Sequence, residues 1–577
     1  MHNYYNEFFE IGQQSINFNL YQIGLPTDDP VFILKKVLEE MNFSNLLARY
    51  SDLGRKGYNP IMLFAILTYS ALRGVRSVDR IVELCTRDIG YMWLAQGERP
   101  KRDAFYDFMN LKLTEDILLD LHYQFIRRLQ KEGLISLEAL FIDGTKIEAN
   151  ANRYTFVWRG SINYRLASLL DNIEGFYAKY NDFIVLNGYD RKYQLPTMEM
   201  FIIEGMDKVR EVIEKNRARK VNKKKKTSNN IVIEIDNASP LELLKLQVNL
   251  KRIADCEGIV FVTGKGQRKH ELQKLYEGLE ELGQTLLKYK KHYEIMGSSR
   301  NSYSKTDLEA TFMRMKDDHM QNGQLKPAYN VQIAVENYFV IHGYVSDDRT
   351  DYKPLIPVLE MHREYLGVYP SQVTADSGYS SERNLLFLQE REIESFIKLQ
   401  EHEKMKTKAY KTDISQHRNM EKVDQGYFCA AGRLLTFDQI ETRRIKGFPR
   451  EYKVYSCKDC SSCDMKSRCL SKYDDNKHEN KNKVIKVNER WDKLKEVSNK
   501  NIQSEEGILN RQIRSIQTEG FFGDMKANDG FRQFNHRTKE RVFKEFMIYV
   551  FGKNLDKYSK FKSGEIKKFE GKTAQPA

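Results

Sequence analysis

Leu140-Phe141-Ile142-Asp143-Gly144-Thr145-Lys146 is an apolar run interrupted by a carboxylate and a glycine. It reads as a strand that ends in an acidic residue and a glycine turn, which would set a carboxylate at a strand end. An isolated Asp-Gly equally well turns a chain with no chemistry attached, so the surrounding sequence has to decide. Gln372-Val373-Thr374-Ala375-Asp376-Ser377-Gly378-Tyr379 repeats the pattern. Between the two, Ala328 to Val335 and Tyr338 to Val345 read as a β-hairpin joined by Glu336-Asn337, followed by an amphipathic helix from about Tyr352 to Tyr365. Beyond Asp376 come a helix from Ser381 and a short strand near Ser395 to Lys398. In an α/β arrangement strand ends gather at one sheet edge, so Asp143 and Asp376 can converge across the 233 positions between them.

Upstream, residues 31 to 130 carry helical apolar spacing almost without interruption. Ser77 can cap a helix to about Arg87, a second helix covers Ile89 to Ala95, and a Gly-Glu-Arg-Pro turn leads into a third. That spacing suits a helix-turn-helix and a plain helical bundle equally. Downstream, residues 160 to 300 insert helices and a basic run from Lys215 to Lys226, which reads as a solvated loop. In the last helix Leu272, Leu275, Leu279, Leu282, Leu286, Tyr289 and Tyr293 keep heptad spacing for a partner helix, in the chain or across a dimer.

At 577 residues the chain is too long for one core, and three or four units are expected. A formal charge of +13 argues for a polyanionic partner. The longest apolar run, Ile61 to Leu72, is shorter than the ~18 residues of a membrane helix. The first residues carry no signal-peptide pattern, so a cytoplasmic, nucleoid-associated protein with reduced thiols is expected. Seven cysteines fall at 85, 256, 429, 457, 460, 463 and 469. The crowded C-x2-C-x2-C-x5-C of Cys457, Cys460, Cys463 and Cys469 suits structural Zn²⁺, with an iron-sulfur cluster or free thiols as the alternatives.

A third acid stands in Gln517-Thr518-Glu519-Gly520-Phe521-Phe522-Gly523-Asp524-Met525-Lys526, at the start of a helical region running to about Tyr558. Seven residues put Glu519 and Lys526 on one helical face about two turns apart. Here the segments Phe141 to Trp158 (FIDGTKIEANANRYTFVW), Phe312 to Gln332 (FMRMKDDHMQNGQLKPAYNVQ), Thr374 to Ser380 (TADSGYS) and Glu519 to Lys526 (EGFFGDMK) closely resemble bacterial insertion-sequence transposases of the DDE superfamily. The N-terminal helices likewise resemble the InsH-like domain that precedes their catalytic cores.

The resemblance runs from about residue 30 to 558 and implies an α/β RNase-H-like core, a mixed sheet flanked by helices, its first three strands an antiparallel meander. It implies a helical DNA-binding domain over 1–130, a catalytic core over 131–160, 305–400 and 485–558, a helical insertion over 161–304, a cysteine-containing insertion over 401–484 and a basic tail over 559–577. Asp143, Asp376 and Glu519 become the catalytic acids and the ligands of Mg²⁺ or Mn²⁺, since hard carboxylate oxygens hold such ions for in-line displacement at phosphorus. Lys526 becomes a phosphate contact. The family pattern often has an Arg four positions before the Glu and a Tyr three before that, where this chain has Ser515 and Gln512; Arg514, displaced by one, is the substitute. The expected partners are double-stranded DNA, as element terminal repeats and target, and a second copy of the chain in the DNA complex.

The other acids read differently. Asp317, Asp318, Asp347, Asp348 and Asp351 are expected as turn or cap residues because none closes an apolar strand, with Asp307 the readiest exception. His342, inside an apolar strand, reads as a satisfied core histidine. A DNA-binding protein without catalysis would share the charge and the helices but needs no three separated acids, while a hydrolysis-only nuclease would keep the acids and lose strand transfer.

Overall fold

The computed structural model describes residues 24–51, 57–189, 206–218, 240–315 and 325–567, apart from 265, 299, 446 and 471–480, together with Tyr4, Phe8, Ile231 and Gly323. Most of the basic run Lys215 to Lys226, Asp317, Asp318 and the last ten residues lie outside them.

The N-terminal region is helical, and its boundaries follow side-chain caps: α1 (Pro30–Glu39) starts at Asp29, α2 (Pro60–Leu72) at Asn59, α3 (Val78–Arg87) at Ser77, α4 (Ile89–Leu94) at Asp88 and α5 (Glu115–Lys131) at Thr114. Each cap side chain accepts a first-turn N–H that has no partner inside the helix. Every residue of α2 is buried, polar ones included, so this helix has no solvent face.

After α5 the chain enters β1 (Ala139–Glu148), then leaves for a helical excursion containing α6 (Arg159–Leu186), α7 (Pro240–Cys256) and α8 (Glu271–Met296). Leu272, Leu279, Leu286 and Tyr293, one per heptad, are buried on α8, and the Tyr293 hydroxyl donates to Asn163 of α6 at 2.8 Å. The heptad partners are therefore helices of the same chain. A ribbon of Phe156–Trp158 with Ser302–Ser304 closes the base of the excursion, and the buried Arg159 guanidinium bonds the Arg300 and Gly297 carbonyls there.

The chain then returns through β2 (Thr311–Arg314), β3 (Leu325–Glu336), β4 (Phe339–Ser346), α9 (Leu355–Leu366), β5 (Gln372–Ala375), α10 (Glu382–Glu390) and β6 (Glu394–Ile397). The sheet order is β2-β3-β1-β5-β6, with β4 also on β3; β1/β3 and β3/β4 are antiparallel, β1/β5 and β5/β6 parallel. This is a mixed sheet; its antiparallel meander is β1, β3 and β4 rather than the first three strands, because the short β2 also pairs with β3. The hairpin loop is Asn337-Tyr338, both at positive φ, one residue later than the sequence pattern suggested.

A second sheet is antiparallel throughout: β7 (Glu421–Val423), β8 (Gly426–Phe428), β9 (Leu434–Ile445), β10 (Phe448–Cys457) and β11 (Val484–Val487), in the order β11-β10-β9-β8-β7. The cysteine-containing segment is thus built on strands rather than loops. It is tied to the first sheet's layer by Glu382, fully buried at the start of α10, which accepts from Arg490 at 2.7 Å and Asn488 at 3.0 Å and forms an ion pair with Arg450 of β10 at 3.1 Å.

The chain ends through α11 (Glu489–Gln503), α12 (Glu505–Arg514) and α13 (Lys539–Lys562). Helix α13 crosses α2 closely because Gly552 has no side chain: a Cβ there would lie 2.6 Å from the Leu72 nitrogen. Phe551 packs edge-on to Phe64 at 5.4 Å, and His122 of α5 bonds the Ile341 carbonyl of β4 at 3.0 Å. One hydrophobic core therefore runs from the N-terminal helices through the first sheet to α13. His342 is buried in it between the Tyr123 hydroxyl (2.7 Å) and His362 (2.8 Å), the satisfied core residue its surroundings in sequence suggested. Among the described residues no helix is long and apolar enough to cross a membrane.

Candidate active site

Asp143 does not end its strand. It sits in the middle of β1, which continues through Gly144 to Glu148, paired with Ile333 across β3. Gly144 is a strand residue rather than a turn, and its missing side chain is the space that Gln332 fills: a Cβ there would stand 2.1 Å from the Gln332 amide nitrogen. Asp376 does follow its strand directly. It caps a single turn, Ser377–Tyr379, by accepting the Gly378 N–H at 2.7 Å. Because β1 and β5 are parallel neighbours, with Ile142 opposite Ala375, Asp143 and Asp376 follow two paired residues on adjacent strands.

Glu519 arrives from the helical stretch after α12. That stretch contains two widened π turns, Ser515–Glu519 and Asp524–Asn528, and the first carries Glu519, the second Lys526. The regular two-turn helical face assumed from the sequence is therefore interrupted at both residues. Both side chains nevertheless line one cavity of about 400 Å³ together with Asp143, Asp376, Arg514, Phe522 and Arg532.

Arg514 stands between two of the acids. Its guanidinium donates to Asp143 at 3.0 Å and to Glu519 at 3.4 Å. Asp143 also accepts the Gly144 N–H at 2.8 Å, and the Thr518 hydroxyl is 3.4 Å from its other oxygen. Asp376 is raised above the usual carboxylate range, first by burial and then by the charges of Asp143 and Asp351, while the Gly378 N–H and Arg514 pull it back. Lys526 and Arg532 line the same cavity as Arg514 and the three acids.

Asp351 lies in a turn, as expected from the sequence, and also stands beside the acids. It accepts from Asn330 at 2.8 Å and Gln332 at 3.1 Å, and Gln332 also accepts the buried Tyr379 hydroxyl. The signal was present in β3: Asn330 and Gln332 are two polar residues, two apart, on one face of an otherwise apolar strand. Arg532 had no such signal; it reaches the cavity because the loop after the second π turn docks on the end of β1, Glu148 N–H donating to the Arg532 carbonyl and Phe534 N–H to the Glu148 carbonyl. Asp307, buried, accepts the Tyr329 hydroxyl at 3.0 Å and takes no part in the cavity. Gln512 and Ser515 do not line it either.

Residues 428–559 match a family model described as Transposase DDE domain, and residues 20–111 match one described as Transposase domain (DUF772). The matches indicate an insertion-sequence DDE transposase. The first match contains Glu519, Lys526, Arg514 and the crowded cysteines, and the second covers α1 to α4; neither reaches Asp143 or Asp376. No curated protein and no solved structure matches the chain. Transposase families indicate DNA transposition, and DDE transposases generally use divalent metal ions such as Mg²⁺.

Among the described residues no three His, Cys, Asp or Glu side chains are already arranged to hold a metal. At the carboxylates the reason is visible: a guanidinium occupies the place between Asp143 and Glu519. The donor set still fits a hard cation, because three carboxylates line one cavity and two of them already hold an organic cation.

Proposed function

We propose that this insertion-sequence transposase binds the terminal repeats of its element as double-stranded DNA and carries out strand cleavage and strand transfer at the Asp143, Asp376 and Glu519 cavity of an RNase-H-like core. The observation that carries the reading is the convergence on one cavity of acids from a mid-strand position, a neighbouring strand end and a distant helix, with Arg514, Lys526 and Arg532 beside them. A single-purpose salt-bridge network would have no need of that many unlike elements around an open cavity.

Asp143, Asp376 and Glu519 would hold Mg²⁺ or Mn²⁺, which supplies Lewis-acid stabilisation of the charge that develops at phosphorus, in a two-metal arrangement. The chain's own groups do the orienting. The Gly144 N–H and Thr518 hydroxyl fix the Asp143 carboxylate, and the Gly378 N–H fixes Asp376. Lys526 and Arg532 provide positive charge for the scissile phosphate, and Arg514 joins them once Asp143 and Glu519 are otherwise engaged. Water is the first nucleophile and releases a 3′-hydroxyl at the element end. That hydroxyl then attacks a phosphate of the target in line, forming the new phosphodiester as the target's own P–O3′ bond breaks and its 3′-oxygen leaves as a hydroxyl, so no covalent enzyme intermediate is needed. The reaction would take place in the cytoplasm, on the nucleoid, with a second copy of the chain in the DNA complex.

Supplying 3′-hydroxyl element ends and a target plasmid with Mg²⁺ tests this. Joined product supports the reading; cutting without joining would make the protein a hydrolysis-only nuclease, and binding without either would make it a DNA-binding protein without catalysis.

A further inference from the structure

The hairpin of β9 and β10 ends in a concentration of positive charge that the cavity does not use. Its tip, Thr442-Arg443-Arg444-Ile445-Lys446-Gly447-Phe448-Pro449-Arg450, holds four cationic residues and no acid. Gly447, at a φ of 81°, turns the chain, and the register pairs Ile445 with Phe448, Arg444 with Pro449 and Arg443 with Arg450. On the β9 side, Thr442, Arg443, Arg444 and Ile445 are all exposed. Arg443 donates to Glu441 of its own strand, which Lys486 of β11 also engages. Among the described residues Arg444 has no acidic partner.

Two features set this tip apart from an ordinary solvated turn. The first is that its β10 side is clamped. The Arg450 guanidinium forms an ion pair with the buried Glu382 at 3.1 Å and lies 6.0 Å from the Trp491 ring. Arg490 donates to the same carboxylate at 2.7 Å and to the Pro449 carbonyl at 3.4 Å, with its guanidinium 5.5 Å from the Phe448 ring. Loss of either guanidinium would leave a buried charge short of a partner, so the ribbon is held in place.

The second feature is where the clamp holds it. Strands β5 and β6 are parallel, so their last residues, Ala375 and Ile397, lie at one edge of the first sheet, and Asp376 follows the first of them. Helix α11 runs back along β6, Ser498 donating to the Ile397 carbonyl at 2.6 Å and Asn501 to the Ser395 carbonyl at 3.3 Å. Its start therefore projects past that edge, with Arg490 about 12 Å beyond Ser498. Glu382 opens α10 six positions after Asp376. The N-terminal helices pack at the opposite end of the sheet, on β4, through His122 and the Ile341 carbonyl. The cavity on β1 and β5 lies between the two.

We infer, on the reading that the cavity cuts at element ends seated on the N-terminal helices, that Arg443 and Arg444 contact the phosphates of the flanking duplex, on the far side of the cleavage point from the terminal repeat. A duplex that lies on the N-terminal helices with its scissile phosphate at Asp143 and Asp376 continues toward β6, where the tip stands. A two-stranded ribbon fits a DNA groove, and guanidiniums bond phosphate oxygens in pairs. Arg443 exchanges Glu441 for phosphate, and Lys486 keeps Glu441 paired. Flanking sequence changes with every insertion, so a contact to the backbone alone is what this position can use.

Binding of the full chain, without divalent metal so that nothing is cut, tests this with two duplexes. One ends flush at the terminal repeat, and the other carries about two further helical turns of flanking DNA. Arg443→Ala/Arg444→Ala should bind the flanked duplex roughly tenfold or more weakly than the wild type, and its slope of log affinity against log salt should be shallower by about 2. The flush duplex should be bound equally by both proteins. Arg443→Lys/Arg444→Lys keeps the charges and should keep the slope, which separates a phosphate contact from a change in the hairpin's fold. Unchanged affinity of the alanine variant for the flanked duplex overturns the inference. Equal loss on both duplexes does so too, by moving the contact onto the element end, as does a slope that falls as far in the lysine variant as in the alanine one. Wild-type protein that binds neither duplex refutes the transposase reading itself, and the flank contact with it.

Discussion

Replacing Arg514 by glutamine should tighten divalent-metal binding to the DNA-free protein. The guanidinium lies 3.0 Å from Asp143, with both side chains largely buried, whereas its 3.4 Å contact is to Glu519, whose side chain is 60% exposed. The exposed contact contributes little against water and salt. The Asp143 contact dominates, and a hydrogen bond to a charged group of this kind contributes about 1.5–3 kcal/mol. A metal that takes Asp143 as a ligand must first displace that contact, so its removal should improve Mn²⁺ affinity roughly 10- to 150-fold at about 1.4 kcal/mol per decade. Arg514→Lys keeps the charge but loses the planar fork, and should fall between. Calorimetric or paramagnetic titration of Mn²⁺ into the wild type and both variants without DNA measures this directly. An Arg514→Gln protein, shown to be folded, that binds Mn²⁺ no more tightly than the wild type would refute the argument that Arg514 holds the metal's place. Strand transfer by the same variant should nevertheless fall, because the group is then missing from the phosphate side.

Asp143→Ala, Asp376→Ala and Glu519→Ala should each abolish cleavage and joining while leaving binding to element ends nearly intact; wild-type cleavage by any one of them in Mg²⁺ removes that residue from the assignment. Gly144→Ala places a methyl group 2.1 Å from the Gln332 amide and should cost about 1–3 kcal/mol of stability, read as a lowered urea midpoint; an unchanged midpoint would mean the Asn330, Gln332 and Asp351 network moves freely. His122 and His362 are lowered to about 4 from 6.5, chiefly by burial, so the unfolded chain binds their protons more tightly. Stability is then intact above about pH 6.5 and falls as the pH drops toward 4, by about 2 kcal/mol per histidine at pH 5; equal urea stability at pH 8 and pH 5 would contradict this. DNA binding should be strongly salt-dependent, and because α2 shares its core with α13, the N-terminal contribution is better tested by charge reversal than by truncation. Arg80→Glu/Arg87→Glu, on the exposed face of α3, should weaken binding and flatten its salt dependence; unchanged affinity for element ends would move the contact elsewhere.

Much of this protein was legible in one dimension wherever the cause is local. Ser77 announces a helix start because a cap needs only the next three residues, and the heptad leucines of α8 announce a buried stripe because helical periodicity is set within a few turns. Val373-Thr374-Ala375 followed by Asp376 marks a strand end for the same reason. Asp143 was expected at a strand end before a turn, since Asp-Gly normally turns a chain, whereas it lies within β1. What keeps it straight is Gln332, 188 positions away, lying in the space that Gly144 leaves. Tertiary structure alone decided that Asp351 lies beside the acids and that Arg514, 371 positions from Asp143, stands between it and Glu519. These depend on packing between elements distant in sequence, where a residue's neighbours are set by sheet register and helix docking, and no pattern within a few turns or a single strand carries that information.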